Sequence, residues 1–281
     1  MESLNQNSDQ LEESFLRVMR VAALQAGRVA SLLQGNVRAE IKEGERSPEG
    51  AALTAVDLAA QDVILYALHA ALPDIAVDAE EDTAAVALFP PERLGEPVIV
   101  IDPVDGTLNY TRGSPDYAVM AALVCDGRYR TALVHLPATG RTAWAHAGHG
   151  CRTQSGGEDP LPVRSQTDRS EIILTSPWVP RSWRRAIEGS GFRCETSRCS
   201  AIDAAIGALG GAAGSVSYGD VDRRRSIGFL LTTEAGGVVE CGGREWHGED
   251  PASLRRAPSW SIAADSPQTA ARLRDALRRH L

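Results

Sequence analysis

Two aspartates three positions apart, Asp102 and Asp105, follow directly on the apolar run at 98–101 in the stretch VIVIDPVDGTLNYTRG. The apolar run reads as a buried strand, and the Asp, Pro and Gly residues after it read as its turn. Carboxylates held at the stiff end of such a strand are hard oxygen donors suited to one or more Mg²⁺ ions. The Gly106-Thr107 step adds a backbone N–H and a hydroxyl for an anion. The same residues also make an ordinary Asx-type turn. Upstream, DAEED at 78–82 carries four acids in five positions. Such a run is usually a solvated loop, but beside Asp102 and Asp105 its Glu80 becomes a metal ligand that orients water, with Glu81 behind it.

Other elements must bring further groups to this strand end. Residues 15–34 place Phe15, Val18, Ala22, Ala26, Val29 and Leu33 at helical spacings, an amphipathic helix laid across a sheet, preceded by about ten frayed residues. A second helix is expected over 53–72 with Asp57 near its start. That carboxylate either stabilises the helix dipole or, at a cleft, polarises a hydroxyl or holds a water. The charged stretch 37–50 reads as a hairpin or flap, and 117–124, 129–135 and 142–147 as a β-meander. His135, His146 and His149 are scattered over that meander and read as strand-edge or loop residues rather than metal ligands.

The Gly-, Ser- and Pro-rich stretch 152–170 marks a lobe boundary. It separates a metal-binding α+β lobe, 1–150, from an α/β substrate-binding lobe, 151–281, the two packed as one unit. The second lobe is expected to contain a strand at 171–175, a helix at 181–188, an Ala/Gly-rich helix at 200–214 and a strand ending at Tyr218. A loop through Arg225, a helix to Glu234, a strand at 238–240, an edge strand at 260–263 and a helix at 269–281 complete it. Arg223, Arg224 and Arg225 either steer a phosphate or carboxylate or form an exposed charged face.

With 281 residues and 43% hydrophobic content the chain can bury a substantial core. A formal charge of -8 opposes binding to a nucleic-acid polymer, yet is compatible with a phosphorylated small molecule whose charge a metal neutralises. Five scattered cysteines without paired zinc spacing point to free thiols in a reducing compartment. The polar, acidic opening residues carry no signal-peptide core, and no apolar run reaches membrane-spanning length. A cytoplasmic protein without a membrane partner is the expectation.

AEED at 79–82, DPVDGTLNY at 102–110, EAGGVV at 234–239 and SWSIAA at 259–264 occur in this order, after AGRVA at 26–30. Together they resemble the inositol monophosphatase family of the lithium-sensitive sugar-phosphatase superfamily, over nearly the whole chain. The resemblance implies a layered α/β/α/β/α fold, Mg²⁺-dependent hydrolysis of a phosphate monoester, and a homodimer. Residue by residue, it implies metal ligands Glu80, Asp102 and Asp105 with the Val104 carbonyl, and water activation by Asp57, Thr107 and Glu80. It places a phosphate cradle at the Gly106 and Thr107 backbone, and Asp105, Ser200 and Ser217 are further candidate substrate contacts.

One departure is large. The family normally carries a Trp-Asp pair whose aspartate, ten residues before the glutamate of EAGG, ligates a second metal; here gapless alignment puts Arg223 and Arg224 there. A guanidinium reverses the charge and removes a hard ligand. Either a local insertion lets Asp222, or less readily Asp220, reach the metal, or the second site is weakened and Arg224 contacts the substrate anion. The flanking YG and IGFLLTTEAGG align without a gap, which favours the latter. Ser217 stands where an acidic residue contacts inositol hydroxyls, and Leu108 replaces a small polar residue. The expected substrate is therefore a sugar-like or nucleotide-like phosphate. The alternatives are a catalytically impaired phosphate-binding or regulatory protein, and an enzyme performing elimination or cyclisation on a phosphorylated metabolite.

Overall fold

The computed structural model describes residues 2–35, 40–41, 52–53, 55–164, 171–196, 199–254 and 256–281. The expected flap at 37–50 lies outside the described residues, apart from Glu40 and Ile41. Helix α1 (Glu2–Leu33) buries Phe15, Met19, Ala22 and Ala26, which fall on one stripe at helical spacing. A two-stranded ribbon, β1 (Glu40–Ile41) with β2 (Ala52–Leu53), precedes α2 (Ala55–Ala71).

A seven-stranded sheet follows, its spatial order matching its chain order: β3 (Ala76–Asp78), β4 (Val98–Asp105), β5 (Ala118–Cys125), β6 (Arg128–Leu136), β7 (Arg141–His146), β8 (Gly150–Ser155) and β9 (Leu161–Val163). The short helix α3 (Thr107–Thr111) leaves the end of β4. Strand β4 is buried from Val98 to Val104, on both faces, which is why it reads as a continuous apolar run rather than an alternation.

The chain continues through β10 (Ile172–Thr175), α4 (Arg181–Gly189), β11 (Arg193–Glu195), α5 (Ser200–Ala204), α6 (Ile206–Leu209) and β12 (Gly214–Tyr218). Then come α7 (Arg223–Glu234), β13 (Val238–Cys241), β14 (Arg244–Glu245), β15 (Trp260–Ala264) and α8 (Pro267–Leu277). These strands form a second sheet in the order β11-β10-β12-β15-β13-β14. Three apolar cores define the layers. One joins α1 and α2 to the first sheet. Another places α5, α6 and α7 between the two sheets. The third packs α4 and α8 on the outer face of the second sheet. The result is the expected α/β/α/β/α arrangement. Among the described residues, no helix is long and apolar enough to cross a membrane.

Several sequence expectations change. Helix α1 begins at Glu2 instead of after a frayed start. The Ala/Gly-rich stretch 200–214 is two short helices, broken at Ala205 (φ -91°, ψ 24°), and Gly210 and Gly211, at φ of 70° and 90°, end the second and turn the chain into β12. No loop runs through Arg225: α7 starts at Arg223, with Asp222 capping it by accepting from Arg225 N at 2.8 Å. Strand β15 is no edge; it pairs antiparallel with β12 on one side and β13 on the other. The first sheet extends past residue 150 through β8 and β9 to Val163. His135 is not an edge residue but is buried, with Nδ1 at 2.9 Å from Thr142 Oγ1. All five cysteines are free.

Candidate active site

Strand β4 ends at a cleft of about 240 Å³ between the two halves of the molecule. Asp102 is opposite Met120 and Asp105 opposite Ala118, so β4 spends three steps where β5 spends two. On a regular strand, residues three apart face opposite sides. The extra residue of this bulge, at Pro103-Val104, turns both carboxylates into the same cleft.

Glu80 lies beside Asp102 on the cleft wall. Burial, followed by the negative charges of Glu80 and Asp105 and a hydrogen bond with Glu80, holds the Asp102 carboxyl well above the usual range, while Arg224 pulls the other way. Asp105 is gripped by the chain around α5. Its Oδ1 accepts from Ser200 Oγ at 2.8 Å, and Oδ2 accepts from Cys199 Sγ and from Ala201 N, each at 2.8 Å. Burial outweighs these three donors, so its carboxyl too sits above the ordinary value. Burial and the adjacent Asp105 push the Cys199 thiol up in turn, which keeps it protonated and a poor nucleophile.

Gly106 links β4 to α3 at φ 87°, and a Cβ there would stand 2.9 Å from the Asp116 carbonyl oxygen. Only glycine fits this left-handed, crowded position. Next to it, the Thr107 hydroxyl lies 3.2 Å from Asp57 Oδ1 and 3.0 Å from the Val104 carbonyl, which compete for its one proton. Asp57, in the first turn of α2, is buried. Its carboxylate thus stays at the helix start and also reaches a hydroxyl at the cleft.

The three arginines separate. Arg223 donates from Nε to both oxygens of Asp250 at 3.0 Å, from Nη1 to Asp78 at 3.1 Å, and from Nη2 to Glu92 at 2.6 Å. Its hydrogen bonds to this carboxylate shell, Glu92 foremost, raise its already high pKa despite its burial. Arg224 lines the cleft with Asp102 and Glu80; its Nη2 donates to Asp78 at 3.2 Å, and its Nε is buried without a hydrogen-bond partner among the described residues. Arg225 lines the cleft as well. Asp222 borders the same cleft with Oδ1 engaged in the helix cap, whereas Asp220 is outside its lining. Ser217 is buried in β12 opposite Ser261 and also lies outside the lining, while Ser200 is within it.

Among the described residues, no three His, Cys, Asp or Glu side chains converge as a metal cage. Asp105 shares the cleft with Glu80 and Asp102 and directs its two oxygens at donors on Cys199, Ser200 and Ala201. The remaining pair, Glu80 and Asp102, fits Mg²⁺ in kind. The ion characteristically takes one or two carboxylates and completes its shell with water and substrate phosphate, and here the negative charge of the partly exposed Glu80 bears on the buried Asp102. Val104 lines the cleft too, and its carbonyl, which competes with Asp57 for the Thr107 proton, has a second lone pair. A larger hollow of about 600 Å³ between α1 and β7 has, among the described residues, Glu13 as its one carboxylate, and Arg20 covers Trp144 there at 4.3 Å.

Ser176, Trp178, Cys199 and Asp203 also line the cleft and were not singled out from the sequence. The Pro-flanked Trp in SPWVP, just after a strand, was the available signal for Trp178.

Residues 14–280 match the model of the inositol monophosphatase family. Inositol-1-monophosphatase ImpA of Mycolicibacterium smegmatis is 31% identical over 218 residues, 73% of this chain and 75% of that protein. Histidinol-phosphatase of Streptomyces coelicolor is 34% identical over 143 residues, 50% of this chain and 51% of that protein. The structure of a Thermotoga maritima IMPase shares the fold, with a TM-score of 0.73 and 22% identity, covering 96% of this chain and 99% of that one.

Proposed function

Because the chain belongs to the inositol monophosphatase family of phosphoric monoester hydrolases, we propose that it hydrolyses a small sugar-like or nucleotide-like phosphate monoester. In this reading Glu80 and Asp102 hold Mg²⁺, and Arg224 supplies a fixed cation where a second metal ligand would stand. The observation that carries it is Arg224 Nε, a buried donor with no hydrogen-bond partner among the described residues, on the wall of an acidic cleft. A substrate phosphate oxygen is the acceptor such a guanidinium lacks.

When bound, Mg²⁺ polarises phosphate oxygens, lowers the pKa of water and stabilises charge on the departing oxygen. The chain does the rest. Backbone N–H groups of Gly106 and Thr107 cradle the phosphate. Asp57 accepts the Thr107 hydroxyl proton, which leaves the Thr107 oxygen free to accept from the attacking water, with Glu80 orienting that water. In this reading water attacks phosphorus directly and in line, with no covalent enzyme intermediate, and Cys199 Sγ is turned to the Asp105 carboxylate.

Arg224 also supports a second reading. Its charge is partly balanced by Asp78, Asp102 and Glu80, as in a binding or regulatory protein whose built-in cation competes with metal. Phosphate release with Mg²⁺ across sugar phosphates, inositol phosphates and 3′-phosphonucleotides, with product masses, tests both. Turnover abolished by EDTA and by D102N is expected. Activity indifferent to both sinks the mechanism, and tight ligand capture without turnover favours the binding protein. A product mass lower than hydrolysis allows identifies elimination or cyclisation.

A further inference from the structure

One aromatic wall of the cleft has no part in the hydrolysis above. Trp178 lines the cleft and is 55% exposed, leaving a large apolar ring uncovered. The turn that carries it is stiff. Pro177 precedes it and Pro180 follows two positions later, each with φ restricted by its ring. Val179 N donates to the Ser176 carbonyl at 3.1 Å, closing the turn, and Tyr218 N donates to Ser176 Oγ at 3.2 Å, fastening it to β12. Val179 is buried, and Trp183 beyond it packs edge-on against Tyr218 and Trp260. The indole is therefore presented from a firmly held backbone.

Arg225 borders the same cleft; among the described residues its guanidinium makes no hydrogen bond or ion pair, and its charge also acts on the Cys241 thiol. An exposed indole and an uncommitted guanidinium plane are both flat partners for a π system. We infer that Trp178 is a specificity residue that stacks the planar nitrogen heteroring of a phosphate monoester, with Arg225 facing the same ring. The inference rests on the phosphatase reading for the position of the phosphate, at Gly106 and Thr107. It goes further by naming the chemical class of the group that phosphate is attached to.

The test is calorimetry on the full chain with Ca²⁺ in place of Mg²⁺, so that turnover does not intrude. The ligands are adenosine 3′-monophosphate, uridine 3′-monophosphate, inositol 1-phosphate and glycerol 2-phosphate, each against wild type, W178A and W178F. Base–aromatic stacking predicts that W178A weakens both nucleotides at least about fivefold, the purine more, and that W178F holds them within about twofold. Binding of the inositol and glycerol phosphates changes by less than about twofold in both variants. An equal loss for all four ligands overturns the inference, as does no loss for the nucleotides, or no nucleotide binding by the wild type. A loss confined to inositol 1-phosphate also overturns it, assigning the indole to a polyol face. Phosphate release with Mg²⁺, run in parallel, separates the two claims. Nucleotides bound through Trp178 but never hydrolysed defeat the phosphatase reading alone, whereas hydrolysis indifferent to W178A defeats the stacking alone.

Discussion

Arg224 Nη2 donates to Asp78 Oδ1 at 3.2 Å, joining the first turn of α7 to the last residue of β3. The other oxygen of the same carboxylate accepts from Arg223 Nη1 at 3.1 Å. Asp78 therefore pins two neighbouring arginines two residues before Glu80, and leaves Arg224 Nε uncommitted in the cleft.

If Arg224 binds the substrate phosphate, R224A raises the KM for phosphate esters by about 10- to 150-fold, the value of one charge-assisted hydrogen bond. D78N, which only loosens its aim, raises KM less. R224D restores a carboxylate, so the number of Mn²⁺ ions bound per chain, counted by electron paramagnetic resonance, rises from one to two. An unchanged count would show that the guanidinium does not stand in for a metal ligand.

Asp57 and Thr107 act on the water rather than on affinity. D57N and T107A are expected to lower kcat by about 10²- to 10⁴-fold with KM altered less than about threefold, and T107S, which keeps the hydroxyl, to retain most activity. Steady-state kinetics decide this. A KM effect without a kcat effect would reassign the pair to binding.

Gly106 is where backbone and cradle meet. G106A places a Cβ 2.9 Å from the Asp116 carbonyl at a left-handed φ of 87°. A cost of about 1–2 kcal/mol is expected in urea unfolding, together with loss of most turnover as the cradle shifts. Full activity in G106A would exclude this backbone from phosphate binding.

His135 is a stability sensor rather than a metal ligand. Burial depresses its pKa from 6.5 to about 4, and its ring lies against Gly27 of α1, where an added Cβ would approach within 2.7 Å. The folded state resists protonation that the unfolded chain accepts. Stability from this group is therefore unaffected above pH 6.5 and is lost as pH falls from 6.5 towards 4, by about 3 kcal/mol in all. Urea unfolding across that range should show a shallower decline for H135Q than for wild type. G27A should be destabilised at every pH, since it forces α1 away from β6.

The reach of the sequence follows the range of the interactions involved. The strand-to-turn at 98–107, the helical stripes of α1 and α2 and the acidic segment at Glu80 are set by neighbouring residues, and all were legible. The helix expected over 200–214 is cut short where Gly210 and Gly211 override the averaged helical pattern with two positive-φ positions, and its break at Ala205 carries no local sequence signal. Strand β15 was read as an edge because neither sequence partner, β12 or β13, is adjacent along the chain to say otherwise.

What the sequence by itself determined was the inventory of chemistry: hard oxygens, a glycine at a tight turn, and three consecutive arginines, Arg223 to Arg225. Only the tertiary structure decided which groups meet. It brought Asp57 to Thr107 across fifty positions, gave Arg223 to Asp250 and Glu92, left Arg224 beside Asp102 and Glu80, and set Trp178 in the lining of the same cleft. Consecutive arginines are alike in type and local propensity. Their fates diverge because each side chain leaves the first turn of α7 in a different direction, towards whatever carboxylates the packing of two distant sheets has put there.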